Sequence, residues 1–186
     1  MTEIPLQQRL NALPALENVD LLGAPVLVAL RSMQADLAAA ITVSAIDPAL
    51  ADTAAFCDRY GVLPAESANC VVVAGRRGEL NTLAACVVLA TTRADVNGLV
   101  RRTLGAKKIS FASMDVAVSE SGMEYGGITP IGLPADWPIL IDRAVVDAGD
   151  VVVGSGLRRS KMVVAGSTLA ALPNATVLDG LGLPPH

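Results

Sequence analysis

The chain has 186 residues, a formal net charge of −4 and 52% hydrophobic residues, of which few are aromatic. This length fits one domain with a small appendage, and the Ala-, Val- and Leu-rich composition favours an α/β or α+β enzyme-like domain. The longest apolar runs, such as Leu83–Ala90 and Ala24–Leu30, are much shorter than the ~20 residues of a membrane helix, and the acidic start does not resemble a secretory signal. We therefore expect a cytoplasmic protein with no membrane partner.

Histidine and cysteine usage narrows the available chemistry. The only histidine is the last residue, His186, which disfavours Ser-His-Asp and Cys-His arrangements and His-based metal sites. Cys57, Cys70 and Cys86 form no C-x-x-C pair and are predicted to be reduced, buried thiols. We expect no metal and no cofactor. Any catalysis would use backbone amides, hydroxyls, carboxylates, lysines or a functional group of the substrate.

The first residues predict a helical extension. An amphipathic helix is expected over 6–13, and a second helix from Val26 toward Leu37 follows a Gly-Ala-Pro break at 23–25. We assign residues 1–38 to this N-terminal extension and residues 39–186 to the main domain.

The main domain opens with one strand and one helix. Ile41–Ile46 alternates as a strand does, and a helix from Leu50 to Tyr60 is expected to stop at Gly61. Asp52 and Thr53 lie near the start of that helix, where a role in capping or in the first turn is the favoured interpretation.

Most later elements are predicted strands. Asn69–Ala74 and Thr82–Thr91 are β-rich runs joined by a hairpin connection over Gly75–Glu79, and Asp95 is expected to cap a helix over Val96–Leu104. The remaining predicted elements are, in order, the strand Ile109–Phe111, the helix Ser113–Ser121, the strands Pro138–Asp142, Asp150–Gly154 and Lys161–Val164, the helix Ser167–Leu172 and the strand Ala175–Leu178. Because strands mostly follow one another directly, the sequence predicts an α+β (mixed α/β) fold with a mixed, largely antiparallel sheet surrounded by helices.

The segment Tyr125–Leu133, Y-G-G-I-T-P-I-G-L, has the composition of a ligand-facing loop. Gly126, Gly127 and Gly132 allow a ligand to approach the main chain closely, and Pro130 fixes one φ and pushes Thr129 toward an extended conformation. An ordinary turn is the alternative. The ligand-facing interpretation predicts a rigid shelf of exposed amides.

Several motifs occur in a characteristic order. Leu104–Lys108 (L-G-A-K-K) precedes the Gly126–Gly132 segment (G-G-I-T-P-I-G), and then come I-L-I-D, ending at Asp142, and G-S-G-L-R-R, starting at Gly154. This order resembles the YbaK/ProX family of aminoacyl-tRNA deacylases, which is similar to the editing domain inserted in bacterial prolyl-tRNA synthetases. The resemblance covers roughly 110 to 130 residues and implies a YbaK-like fold with a partly closed sheet.

The resemblance also implies a function. In that family the Gly-rich loop faces a pocket that holds the 3′-terminal adenosine and the aminoacyl ester of a mischarged tRNA. The implied activity is trans-editing hydrolysis of that ester, with a small amino acid as substrate and tRNA-Pro as a candidate carrier. An aminoacyl-tRNA synthetase is a candidate partner. Glycine-lined backbone, Gly127 in particular, could stabilise the oxyanion without a histidine.

Two positions depart from the family pattern. Asn69 stands where relatives typically carry a lysine at the start of the hairpin, and Lys161 stands where they carry an acidic residue. An exchange of charge between two walls of the pocket would link these changes and give both residues a catalytic role; the alternative is that Lys161 points to solvent. The second functional hypothesis is a module without catalytic activity that binds a tRNA end, an aminoacyl-adenosine-like ligand or a protein partner. Asn69 favours this hypothesis.

The remaining candidates are binding residues. Ser155 lacks a nearby base and is expected to bind substrate, while Asp142 could orient the loop or simply end its strand. The full set of predicted substrate-binding residues is Gly126, Thr129, Pro130, Gly132, Asp142, Gly154, Ser155 and Gly156. The net charge disfavours broad capture of RNA. Local basic patches would therefore have to contact the tRNA, unless they are ordinary solvated surface: Arg76/Arg77, Arg101/Arg102 with Lys107/Lys108, and Arg158/Arg159 with Lys161.

Overall fold

The computed structural model describes residues 4–185. His186 and the first three residues of the predicted extension lie outside this range. Strands form two main sheets and one small one, with helices packed around them. The predicted α+β class with mixed sheets is confirmed, although the strands divide among three sheets instead of forming one.

The first main sheet has the order β1-β2-β9-β8 and is antiparallel throughout. Its strands are β1 (Leu13–Pro14), β2 (Thr42–Ala45), β8 (Asp150–Gly154) and β9 (Ser160–Ala165). The side chains of β8 and β9 point alternately to the two faces of this sheet. Because both faces are covered, nearly all of these side chains are buried.

The second main sheet has the order β10-β7-β4-β3-β6, and its β4–β7 and β7–β10 pairs are parallel. Its strands are β3 (Ala68–Arg77), β4 (Leu80–Leu89), β6 (Lys108–Phe111), β7 (Ile139–Asp142) and β10 (Ala175–Leu178); β5 (Arg93–Ala94) pairs with β11 (Gly182–Leu183) in the small sheet. A single parallel bridge between Ser67 and Val152 joins the two main sheets. The start of β3 therefore lies beside β8.

The helices cover the sheets and are short. They are α1 (Leu6–Arg9), α2 (Ala24–Ser32), α3 (Ala35–Ala39), α4 (Thr53–Tyr60), α5 (Arg101–Thr103) after a π-helical turn, α6 (Met114–Ser121), α7 (Arg143–Asp147) and α8 (Gly166–Ala170). In the described part of the chain, none is long and apolar enough to cross a membrane.

Several predicted boundaries are corrected by the structure. The helix expected over 6–13 ends at Arg9, because Asn11 takes a positive φ and the chain turns into β1. The hairpin connection is only Gly78 and Glu79, since β3 continues to Arg77 while pairing with β6 on its other side. The helix α7 was not predicted.

The N-terminal segment shares the core of the molecule. Leu22, Val26 and Leu30 pack in one buried cluster with Met162 of β9 and with Ile131 of the segment Tyr125–Leu133, which is called the Gly/Pro loop below. The segment also approaches the backbone near the site, where the Gly23 N–H donates to the Ser155 carbonyl at 2.8 Å.

Candidate functional site

A cavity of about 210 Å³ opens where the two main sheets meet. The start of β3, the end of β8, the start of α4 and the Gly/Pro loop form its walls. Its polar and charged lining side chains are those of Asp52, Thr53, Ser67, Asn69, Cys70, Tyr125 and Lys161, and the other lining residues are Ala51, Ala68, Val71, Gly126, Ile128, Val152, Val153 and Gly154. Most of these apolar residues are small.

Lys161 brings an amine into this cavity. The residue lies in β9 opposite Gly154, and its side chain is buried with only 8% exposure. The Nζ atom donates to the Gly126 carbonyl at 3.1 Å and lies 5.7 Å from the centre of the Phe56 ring. The side chain therefore contacts the Gly/Pro loop, and the alternative that Lys161 points to solvent is wrong.

Burial changes the acidity of this amine. The pKa of Lys161 falls from 10.5 to about 8, chiefly because burial disfavours the charged form and secondarily because the Arg158 guanidinium repels it. The carboxylate of Asp52 acts in the opposite direction and favours the ammonium. At pH 7 Lys161 is thus mostly a cation.

Asn69 faces the same cavity and is held by a neighbour. The Thr53 hydroxyl, at the first residue of α4, donates to Asn69 Oδ1 at 2.6 Å. Because the amide oxygen accepts this bond, the Asn69 NH₂ group remains a donor for a bound molecule. Thr53 therefore orients Asn69, a role that its sequence position at a helix start did not reveal.

Tyr125 lies at the mouth of the cavity. Its ring is 55% exposed, and the Arg158 guanidinium carbon lies 5.7 Å from the ring centre. Arg158 is tied to this loop by its side chain, which donates to the Tyr125 carbonyl at 3.3 Å, and by its N–H, which donates to the Glu124 carboxylate at 2.6 Å. An aromatic face and a cation therefore adjoin the opening.

Four of the sequence-predicted site residues line the cavity, namely Asn69, Gly126, Gly154 and Lys161. Glycine is required at 154, since a Cβ there would lie 2.3 Å from the Gly127 carbonyl oxygen. The backbone of the Gly/Pro loop can pack directly on β8 only because this side chain is absent.

The other predicted site residues have structural contacts instead. The Gly127 N–H donates to the Glu124 carbonyl at 2.9 Å, so this amide has no free proton for an oxyanion, which corrects the role expected for Gly127. Ser155 is fully buried, with its Oγ 2.7 Å from the Ser160 Oγ, and Gly156 packs on Gly23. These three residues shape the loop and do not line the cavity.

The last four candidates lie away from the cavity lining. Asp142 is buried and accepts the Gly182 N–H at 3.1 Å, which fits the strand-end alternative. Thr129 is fully buried. Pro130 and Gly132 lie along a separate apolar groove between α2, α3 and the segment after α8.

Sequence reasoning assigned Asp52 and Thr53 to a helix start and not to the site. It included Tyr125 only as the first residue of the ligand-facing segment and Arg158 only in a basic patch. A carboxylate and a hydroxyl at a helix start are typical of caps, yet Asp52 makes no side-chain capping bond.

In the described part of the chain, no three metal-binding side chains come together. The three cysteines are free, and burial raises the pKa of Cys86 to about 12.

Fold and cavity together define a mixed α+β domain with a small polar site at the junction of two sheets. The chain belongs to the family described as "Aminoacyl-tRNA editing domain", whose profile matches residues 47–172.

Solved structures with the same fold support this assignment at the level of architecture. A proposed trans-editing enzyme for prolyl tRNA synthetase is 20% identical, with a TM-score of 0.66 over 81% of this chain and 95% of that one. The hypothetical protein APE2540 is 17% identical, with a TM-score of 0.71 over 83% and 99% of the two chains. A scaffold protein used for epitope grafting is 20% identical, with a TM-score of 0.70 over 84% and 95%.

Proposed function

We propose that this protein hydrolyses the ester of a mischarged aminoacyl-tRNA. The observation that carries the proposal is the convergence of the Lys161 amine and the Asn69 amide on one cavity, in a chain of the aminoacyl-tRNA editing family. The second departure from the family pattern thus compensates the first, because the cation missing at Asn69 is supplied by Lys161 within the same cavity.

The residues suggest how the ester would react. Water, positioned by a hydroxyl of the substrate, adds to the ester carbonyl, and the oxyanion that forms accepts hydrogen bonds from the Lys161 ammonium and the Asn69 NH₂ group. The bond from the carbonyl carbon to the ribose oxygen then breaks, and the proton lost by the nucleophile is delivered to that oxygen. Asp52 lies where its carboxylate can bind the ammonium group of the aminoacyl moiety.

The cavity also suggests what enters it. Its volume of about 210 Å³ and its alanine and valine lining favour a small aliphatic amino acid. The exposed Tyr125 ring, with Arg158 beside it, offers a stacking surface for the terminal adenine base. A synthetase partner, tRNA-Pro as carrier and a cytoplasmic location stay predictions.

The test is a deacylation assay of the purified protein against a panel of tRNAs, each mischarged with one small amino acid. We expect at least one ester to be cleaved faster than in the absence of protein. Thr53→Val should slow that reaction roughly 2- to 10-fold, because one orienting hydrogen bond is lost, and Thr53→Ser should restore it. Cleavage of no ester above background would overturn the proposal.

A catalytically silent binding module is the second candidate, and Asn69 in the lysine position favours it. The variant Asn69→Lys separates the two. A silent cavity would gain hydrolysis when the ammonium is restored, whereas in a working cavity the new cation would repel Lys161 and lower the rate.

A further inference from the structure

A basic hollow of about 320 Å³ lies at the opposite end of β3 from the cavity that contains Asn69 and Lys161. We define the basic hollow by the four cationic side chains that line it, together with the backbone of Gly105 and Ala106: Arg77, Arg101, Arg102 and Lys107. All four residues are exposed. They come from three separate pieces of chain, since Arg77 ends β3, Arg101 and Arg102 begin α5, and Lys107 precedes β6.

These four charges have no acidic partners in the described structure. The ion pairs among residues 4–185 join Arg9 to Glu66 and Arg143 to Asp179, so neither involves the basic hollow. The chain also contains no acidic residue over 96–114, although its net charge is −4. This protein, which is negatively charged overall, thus holds four cations without acidic partners close together in one hollow. These cations repel one another unless an anion binds between them.

The chemistry of the basic hollow favours phosphate groups of a nucleic acid backbone. Guanidinium groups bind phosphate oxygens through two parallel hydrogen bonds, and three of the four cations are arginines. Several cations spread over a shallow opening match a row of phosphates better than a single anion. Because no aromatic side chain lines the basic hollow, stacking of unpaired bases is not its purpose.

Its distance from the cavity agrees with the shape of a tRNA. Asn69 and Arg77 lie eight residues apart on the same strand, a separation of about 26 Å at ~3.3 Å per residue. At ~3.4 Å per stacked nucleotide this span corresponds to about eight nucleotides. Only the last few nucleotides at the 3′ end of a tRNA are unpaired, so phosphates at this distance belong to the first base pairs of the acceptor stem.

We infer that the basic hollow binds backbone phosphates of the acceptor-stem duplex while the 3′ end of the same RNA occupies the catalytic cavity. This inference rests on the proposed function, because it takes the RNA to be the substrate. It assigns recognition of the duplex to Arg77, Arg101, Arg102 and Lys107 and leaves the ester to the distant cavity.

The experiment compares a full mischarged tRNA with a mischarged adenosine that lacks the duplex, using the double variant Arg101→Gln/Arg102→Gln. The KM for the tRNA should rise roughly tenfold, and the slope of log affinity against log salt should become less negative by about 2, because two phosphate contacts are lost. Hydrolysis of the aminoacyl-adenosine should change less than twofold. Direct binding of uncharged tRNA, followed by fluorescence anisotropy, should weaken in parallel.

Lys108→Gln is the matched control, because the structure places Lys108 outside the basic hollow, although the sequence grouped it with Arg101, Arg102 and Lys107. Lys108 pairs in register with Arg76, so both side chains share one face of the sheet, while Arg77 points to the other face. Its loss should leave tRNA binding within about twofold of the unmodified protein, since one cation outside the basic hollow is removed. Equal weakening by Lys108→Gln and the double variant, or unchanged tRNA kinetics in the double variant, would overturn the inference.

The two proposals fail separately. If the unmodified protein cleaves no ester but uncharged tRNA still binds through Arg101 and Arg102, the proposed reaction is wrong and the basic hollow is supported as an RNA-binding surface. If esters are cleaved and the double variant acts on tRNA like the unmodified protein, the reaction stands and the basic hollow is refuted. Thermal unfolding of each variant checks that the exposed substitutions leave the fold intact.

Discussion

Lys161 carries a positive charge into a part of the fold where charge is costly. The residue is 8% exposed, its one described hydrogen bond goes to a backbone carbonyl, and a carboxylate within ion-pair distance is absent from the described residues. Removing an ammonium from water without an ion pair opposes folding. A buried cation retained beside a cavity is therefore the kind of residue expected to serve function at the expense of stability.

The first prediction is that Lys161→Met stabilises the protein at pH 7 by about 1–3 kcal/mol, because a shift of one pKa unit corresponds to ~1.4 kcal/mol. The folded-state pKa is about 8 and the unfolded value 10.5. Between these values Lys161 holds a proton in the unfolded chain that it has released in the folded chain, so the contribution of Lys161 to the free energy of unfolding rises with pH across this window. The advantage of Lys161→Met should shrink accordingly, as measured by urea unfolding at pH 7, 8.5 and 10.

Lys108→Met is the control for this prediction, because Lys108 is exposed and its substitution removes no buried charge, so the free energy of unfolding should change by less than about 0.5 kcal/mol. Deacylation should fall in Lys161→Met but not in the control. A Lys161→Met protein that is less stable at pH 7, or equally active, would contradict the assignment of a buried cation to the oxyanion.

The site residues that sequence could identify are those whose type is unusual at their position. Asn69 and Lys161 stood out because they differ from a family pattern, and Gly126 and Gly154 because glycines cluster there. Thr53 did not, since its importance depends on a 2.6 Å contact with a residue 16 positions away. Composition also does not show whether a backbone N–H already donates a hydrogen bond. The bond from the Gly127 N–H to the Glu124 carbonyl was therefore not predicted.

At the scale of elements, the cavity depends on how closely the Gly/Pro loop packs on β8. A Cβ at residue 154 would lie 2.3 Å from the Gly127 carbonyl oxygen and 2.6 Å from that of Ile128. Both contacts are with backbone, which cannot rotate away as a side chain can. The loop and the strand would have to separate, and the Gly126 carbonyl would move relative to Lys161.

Gly154→Ala should therefore cost about 3 kcal/mol of unfolding free energy, as overpacking of a rigid interior does, and should also lower deacylation. Gly149→Ala is the comparison variant: Gly149 precedes β8 with φ of 80° and nothing within 4 Å of an added Cβ, so only the backbone strain of about 1 kcal/mol applies. Both values come from chemical denaturation at pH 7. An equal loss of unfolding free energy in the two variants would indicate that the Gly/Pro loop can move away from an added Cβ at residue 154.

The elements themselves were largely predictable where periodicity was strong. β10 agrees with its predicted bounds of Ala175–Leu178, and α6 begins one residue after its predicted start because Ser113 is the cap that accepts the Val116 N–H. The division of the strands into sheets was not predictable, because the parallel β4–β7 and β7–β10 pairs join segments far apart in sequence. Side-chain alternation specifies a face of a strand and not its neighbour.

At the scale of the whole molecule, the N-terminal segment up to residue 38 and the main domain from residue 39 share one hydrophobic core. The family match begins at residue 47, yet Leu22, Val26 and Leu30 pack in one buried cluster with Ile131 and Met162. Leu6 and Leu10 contribute in the same way to a second cluster that includes Phe56, the residue beneath the Lys161 amine. Shared clusters of this kind predict a single cooperative unfolding transition in place of separate steps for residues 1–38 and 39–186.

Leu30→Ala tests this prediction from within the N-terminal segment. Leu30 is 1% exposed, so truncation should cost about 2–5 kcal/mol and lower the Tm of the entire chain by roughly 5–15 °C. Val28, on the opposite side of α2 with 65% exposure, supplies the matched control, and Val28→Ala should change the unfolding free energy by less than about 0.5 kcal/mol. Calorimetry should give one transition whose position moves as a whole in Leu30→Ala. If an early transition shifted while a later one stayed fixed, the N-terminal segment would be a separate folding unit, and its contacts with the Gly/Pro loop would not be needed to hold the cavity.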